Sequence, residues 1–266
     1  MVCKNCKRLL PQQINFCNGC GAKVIKNRLT MRNLFEDFAY RYMNYDNQFL
    51  KTFLHLFTKP ELVIGSYING TRKKYVNVIS YFTIALTIFG LQLFIMNLFF
   101  KDALDLTAFN KEMALNMKDP EDFAKNQEQI QSIIGNYQSL IYIITVPITA
   151  FITWLVFYIT NTRTYNYTEH IVINLYYSSQ VIIVTALATL LLMVFGLDFF
   201  TISFIFSFLS FIYLGYIFKK TYDLKIGETI LKTILFIVFY GLMLLFIIIA
   251  IVIVTLVLIK GFGIEF

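Results

Sequence analysis

Five stretches of this chain carry no charged side chain: 75–100, 129–162, 171–197, 199–218 and 233–259. A helix needs about 20 residues to cross about 30 Å of hydrocarbon, so each stretch is long enough for one crossing. Runs this long and this uniformly apolar do not suit buried strands or ordinary core helices. Composition agrees, with 58% hydrophobic and 15% charged residues against about 45–50% and about 25% in soluble domains. Such a chain cannot cover a globule with polar surface, and it has too much apolar side chain to remain disordered. The expected fold is mainly α, a polytopic membrane bundle of about five spans near 79–100, 138–160, 172–197, 199–218 and 234–259. Asp198, close to Gly196, is all that separates the third span from the fourth, so that pair should form a tight hairpin.

The charge that remains is unevenly spread. Residues 1–78 hold thirteen Lys and Arg against four acids (Glu36, Asp37, Asp46, Glu61), a net of +9, while the whole chain carries +7. A basic segment suits nucleic acid or an anionic membrane surface. Here the cations are interleaved with Phe and Tyr and lead straight into a span, which favours the membrane; no nucleic-acid partner is expected. Arg72, Lys73 and Lys74 precede the first span, Arg163 lies in the 161–170 loop, and Lys219, Lys220, Lys225 and Lys232 lie in the 219–233 loop. On the opposite side, 101–137 has four Lys but seven acids, and the third-to-fourth turn adds only Asp198. By the positive-inside rule the N-terminus is cytoplasmic and the C-terminus outside. Residues 1–30 hold no apolar signal-peptide core. The expected location is a bacterial cytoplasmic (inner) membrane.

All four cysteines fall within the first twenty residues, as C-x2-C-x10-C-x2-C: Cys3, Cys6, Cys17 and Cys20. Two C-x-x-C turns can present four thiolates tetrahedrally, the geometry Zn2+ takes in closed structural sites. Gly21 directly after the last cysteine permits the positive φ that such a knuckle uses. A module of about 25 residues buries no core, so its metal must supply the folding free energy. Two disulfides, a redox pair and iron are the alternatives. Disulfides need an oxidising compartment, which a cytoplasmic end is not, and a redox pair needs a βαβ context that is absent. One structural Zn2+ is expected, in a ribbon over 1–25.

Residues 26–78 form a basic, amphipathic segment. From Met31 through Leu34, Phe35, Phe38, Tyr42, Tyr45, Phe49, Phe53 and Leu56 the apolar positions step by three or four, with Arg32, Asp37, Arg41, Asp46 and Lys51 opposite. This helix could lie in the headgroup layer, pack on the cytoplasmic ends of the spans, or fill a partner's groove. Thr58-Lys59-Pro60-Glu61 reads as a new helix start with a T-x-x-E box, and Gly70 as its stop. Arg72, Lys73 and Lys74 form a collar attractive to anionic lipid headgroups.

The knuckles Cys3-Lys4-Asn5-Cys6 and Cys17-Asn18-Gly19-Cys20-Gly21 are followed by Asp46-Asn47-Gln48-Phe49-Leu50-Lys51-Thr52 and Lys59-Pro60. Tyr67-Ile68-Asn69-Gly70, Arg72-Lys73-Lys74-Tyr75 and, later, Glu169-His170 complete the set. Together these motifs resemble a bacterial family of uncharacterised zinc-ribbon polytopic membrane proteins. The resemblance covers about residues 3–80, with an echo near 165–180. It implies architecture and brings no reaction. Members carry Asn-Pro after the collar's Tyr, whereas this chain has Val76-Asn77-Val78.

Polar residues at membrane depth point to function by default, so their scarcity matters. The one set is Glu169 and His170 at the mouth of the third span, with Asn174 and Gln180 farther along. His170 and Asn174 share a face at i, i+4. The set could be a handle for a proton or solute; equally, Glu169 and His170 could cap the helix while Asn174 and Gln180 bond neighbouring helices. Arg163 could pair with Glu169. Pro147 interrupts the second span, and Ser203 with Ser207 forms a small-x-x-x-small face. The 101–137 loop reads as one or two amphipathic helices over the outer surface. No Gly-rich phosphate loop, H-E-x-x-H or G-x-S-x-G is present. The expected function is a non-enzymatic adaptor, scaffold or sensor whose zinc ribbon recruits a protein partner. A small-solute transporter or channel subunit is the second reading, and a lipid-acting enzyme the third.

Overall fold

A computed structural model describes residues 2–11, 14–22, 24, 30–31, 48–71, 73–100 and 120–262; within these, side chains of 120–136, 138–139 and 250–262 are excepted. The amphipathic stretch 32–47, the collar residue Arg72 and the first half of the 101–137 loop therefore lie outside the described residues. The chain divides into two units, 1–48 and 49–266.

In the first unit, residues 2–11 and 14–22 form turns with an antiparallel bridge between Val2 and Leu9. The second is all helix: α1 (Gln48–Thr58), α2 (Pro60–Ile68), α3 (Val78–Phe99), α4 (Pro120–Ile159), α5 (Tyr167–Val194), α6 (Phe199–Tyr222) and α7 (Ile226–Phe262). Five of them, α3 to α7, are long and apolar enough to cross a membrane. The protein is thus a mainly α chain with five membrane-spanning candidates and its four cysteines clustered at the N-terminus.

Local sequence explains where the helices start and stop. Asn77 caps α3 by accepting from the Ile79 amide at 3.0 Å, without the proline of the resembled family. Asn166 and Glu169 form a reciprocal capping box on α5. After α5, Gly196 takes φ +82° while its amide donates to Met193 and that of Leu197 donates to Leu192, a Schellman stop. Asp198 then accepts from the Thr201 amide at 2.9 Å and starts α6. The expected tight hairpin is therefore built by Gly196 and Asp198. Gly70 closes α2 by the same device, with φ +88°.

Two starts differ from the sequence reading. Thr58 closes α1, its hydroxyl donating to the Leu54 carbonyl at 3.1 Å, and it makes no cap bond to α2. Lys59 stands at that cap without a side-chain bond, and Pro60 opens the helix. From Pro120 onward the 101–137 segment is one helix continuous with the second span.

The helices alternate in direction. Tyr81 meets Gln180 near the start of α3, and Met96 packs with Met193 near its end, so α3 and α5 run parallel. On α4, Tyr142 lies against Phe89 while Thr153 reaches His170, so α4 runs antiparallel to both. One end of the bundle therefore gathers Lys73, Lys74, Arg163, Lys219, Lys220 and Lys225, and the other holds Asp198.

At the basic end, α1 and α2 pack into the bundle. Leu56, Val63 and Ile64 are buried with Tyr81 and Tyr176, and Phe49 and Phe53 pack against that cluster. Of the three placements open to the amphipathic segment, its described part takes the one packed on the spans. Proline explains how α1 is held. Pro60 has no N–H to give the Leu56 carbonyl four residues earlier, and the Tyr213 hydroxyl supplies that bond at 3.0 Å. Tyr216 serves the Thr58 carbonyl at 3.2 Å, and Gln180 reaches that of Phe53 at 3.1 Å. Where lipid surrounds a bundle, burial of apolar surface gives little drive between helices, so such bonds and close packing do the joining.

Candidate metal centre and buried polar cluster

The two cysteine knuckles are near copies. Lys7 N–H donates to the Cys3 carbonyl at 2.9 Å, and Gly21 N–H donates to the Cys17 carbonyl at 2.8 Å. One residue later the chain closes on each cysteine amide, Cys3 to Arg8 at 2.9 Å and Cys17 to Ala22 at 2.8 Å. Both turns need a left-handed residue: φ is +61° at Lys7 and +68° at Gly21. The turns bring all four sulfurs within 4.8 Å of one another. Cys3 and Cys20 are 3.7 Å apart, and Cys6 and Cys17 3.5 Å. A disulfide would require about 2.05 Å. Four sulfurs bonded tetrahedrally at about 2.3 Å stand about 3.8 Å apart. The donor set therefore fits a metal ion held by four thiolates.

Hydrogen bonds prepare two of these thiols for ionisation. Cys20 is lowered to about 6, chiefly by the Asn5 side chain and then by the Ala22 amide. Cys17 is lowered by amide bonds within its own knuckle, from Cys20 and Gly19. Cys6 is raised to about 11; the Arg8 backbone favours its thiolate, and the sulfurs of Cys20 and Cys17 outweigh that. Leu10 is buried with Cys3 and Cys17, and Ile14 and Val24 pack on them.

The second set is in the helical unit. His170 and Asn174 are both buried, and α4 and α6 contribute their partners. The Thr153 hydroxyl donates to the Ala150 carbonyl at 2.9 Å, so its oxygen is left to accept. It accepts from Asn174 Nδ2 at 2.9 Å and from His170 Nδ1 at 3.0 Å. The imidazole proton therefore sits on Nδ1, and Nε2 accepts from the Tyr222 hydroxyl at 3.1 Å. Asn174 also donates to the His170 carbonyl at 2.8 Å, while its Oδ1 is buried without a partner. Phe157 stacks on Tyr222 at 3.9 Å between ring centroids and closes one side.

Glu169 and Gln180 do not join this cluster. Glu169 Oε2 accepts from the Asn166 amide at 2.7 Å as part of the capping box. Gln180 lies ten residues beyond His170, about 15 Å along the helix, where it accepts from Tyr81 and donates to Phe53. Arg163 lies over the Tyr158 ring at 4.0 Å and makes no ion pair with Glu169 among the described residues. Lys73 and Lys74 are exposed on the collar, with Lys74 5.5 Å from the Tyr75 ring centre.

Sequence reading missed Thr153, Tyr222 and Lys232. The i, i+4 spacing marks His170 and Asn174, but their partners come from other helices and carry no spacing signal. Lys232 reads as a loop cation, yet α7 starts at Ile226 and carries it on its second turn. It is only 3% exposed. Its ammonium donates to Thr160 at 2.6 Å and Thr162 at 3.0 Å and lies 5.0 Å from the Phe157 ring centre.

Residues 46–90 match the model of a family described as "Protein of unknown function (DUF3667)". That stretch runs through α1, α2 and the collar into α3, and the match supports an uncharacterised family for it. No curated protein and no solved structure matches the chain.

Proposed function

We propose that this protein is a non-enzymatic adaptor, scaffold or sensor of the bacterial cytoplasmic membrane, with one structural Zn2+ in its N-terminal ribbon. The observation that carries this reading is the four-sulfur set, all within 4.8 Å of one another, with two pairs at 3.7 and 3.5 Å. Four protein thiolates complete the coordination of Zn2+ and leave no position for substrate, so the ion serves folding and the ribbon surface serves a partner. The gathering of basic residues at one end of the bundle supports a cytoplasmic N-terminus. Purified protein should contain one zinc per chain by elemental analysis. A partner retained by the wild type and lost from Cys17→Ser, with the helical unit still folded, is the expected result. Absence of stoichiometric zinc, or a reporter at residue 120 facing the cytoplasm, would overturn the reading.

Transport is the second reading, and one atom favours it. A buried Asn174 Oδ1 without a partner is the kind of group a passing solute or water could use. Flux in proteoliposomes that disappears in Asn174→Leu would replace the adaptor with a transporter.

A further inference from the structure

The basic end of the helical unit contains a cavity of about 200 Å³ between α4, the 160–166 turn and α5. By that measure about 10–15 Å³ admits one water, so the space is generous. Its wall includes Trp154, Phe157, Tyr158, Thr162, Arg163 and His170. The lining contains no carboxylate and no side-chain amide. It is instead rich in donors without acceptors. Among the described residues the Trp154 indole N–H and the Tyr158 hydroxyl have no hydrogen-bond partner, and Arg163 makes no hydrogen bond or ion pair besides its stack on Tyr158. That stack holds the guanidinium flat and leaves its edge, a fork of N–H groups, available. Behind the wall, Lys232 is joined to Thr162 by a 3.0 Å bond. Its ammonium is satisfied by two hydroxyls, whose own protons go to the Val156 and Thr160 carbonyls, and by no negative charge within 4.0 Å among the described residues. The charge of Glu228, exposed one turn earlier on α7, reaches it without a bond, and Glu169 is held in its capping box.

A buried cation with no negative group in bonding reach is costly, and here a second cation, Arg163, and two further donors, Trp154 and Tyr158, line the adjoining cavity. The complementary ligand is acceptor-only and anionic, the description of a phosphate group. Trp and Tyr beside Arg, at the end of a span, are the residues that sit at headgroup level. We propose that this cavity binds a phosphate group, with the phosphodiester of an anionic membrane lipid as its source. Arg163 grips the phosphate oxygens bidentately, and Lys232 supplies the charge behind Thr162.

The chain has a single tryptophan, so Trp154 reports on this cavity alone. Full-length protein in a phosphate-free maltoside detergent is titrated with dihexanoyl phosphatidylglycerol while Trp154 emission is followed. Parallel titrations use sodium phosphate and dihexanoylglycerol. Saturable change with the phospholipid, none with dihexanoylglycerol, and at least fivefold weaker binding in Arg163→Gln is the expected result. Arg163 is exposed, so its variant should fold; Lys232→Met, checked by circular dichroism, should weaken binding similarly. Saturation by sodium phosphate at lower concentration than the lipid would keep the phosphate site and overturn the lipid source. Equal response to dihexanoylglycerol, or an unchanged titration in Arg163→Gln, would overturn the proposal.

Discussion

Thr153 serves two buried donors with one oxygen, so its loss should exceed that of an ordinary hydroxyl. Thr153→Val keeps the shape and strands His170 Nδ1–H and one of the two Asn174 Nδ2 protons, the bonds of 3.0 and 2.9 Å, while the other proton keeps the His170 carbonyl. An orphaned buried donor costs about 1–3 kcal/mol, and the thermal midpoint in detergent should fall accordingly, while Thr153→Ser should hold. His55 makes a different prediction. Its Nδ1 lies 2.8 Å from the Tyr75 hydroxyl. Burial first, then the charges of Lys51, Lys59 and Lys74, keep its imidazole below the usual 6.5. The folded state thus takes up the proton less readily than the unfolded chain, so this stability is whole above about pH 6.5 and declines as pH drops through that value. Melting measured from pH 7.5 to 5.5 should show the decline, and His55→Gln should flatten that part of it. At this scale the sequence is partly legible. Four cysteines at two short spacings announce their own geometry, but the tautomer of His170 depends on Thr153 and Tyr222, which no local pattern links to it.

Between helices, one close approach is made by a residue the sequence did not single out. Ser203 and Ser207 form the small-x-x-x-small face, and both are exposed. Gly215 is the small residue that lets α6 and α7 meet. A Cβ there would stand 2.9 Å from Thr233 Oγ1, which is itself bonded to the Thr229 carbonyl at 2.8 Å. Gly215→Ala should therefore cost about 1–3 kcal/mol by overpacking, and adding Thr233→Ala should recover most of it. A thermal-melt double-mutant cycle checks this. The spacing of small residues is visible in a sequence; which of them has a facing helix is not. The same limit applies to α1. Its periodic apolar face was legible, while the three hydroxyl and amide donors that receive its end lie on α5 and α6.

For the whole molecule, the division into units predicts independent failure. Stripping the metal with a strong chelator should expose residues 3–24 to protease and leave the melting of the helical unit within about 2 °C, since no part of that unit depends on thiolate ligands. A large concurrent shift in helix melting would contradict the two-unit division. The five spans were readable because hydrocarbon forbids uncompensated charge over about 20 residues, a rule that acts on the chain locally. The break between α1 and α2 was readable too, but the docking of α1 was not, because what holds it is 127, 157 and 158 residues away. That separation also sets a schedule. At about 5–20 residues per second of synthesis, the Leu56 carbonyl waits on the order of ten seconds before Tyr213 exists to receive it. The α1–α2 pair is therefore made before the spans and is among the last to dock. An assembling chain must spend that interval with an open seat between its spans, and a chain halted before α6 would leave the seat empty.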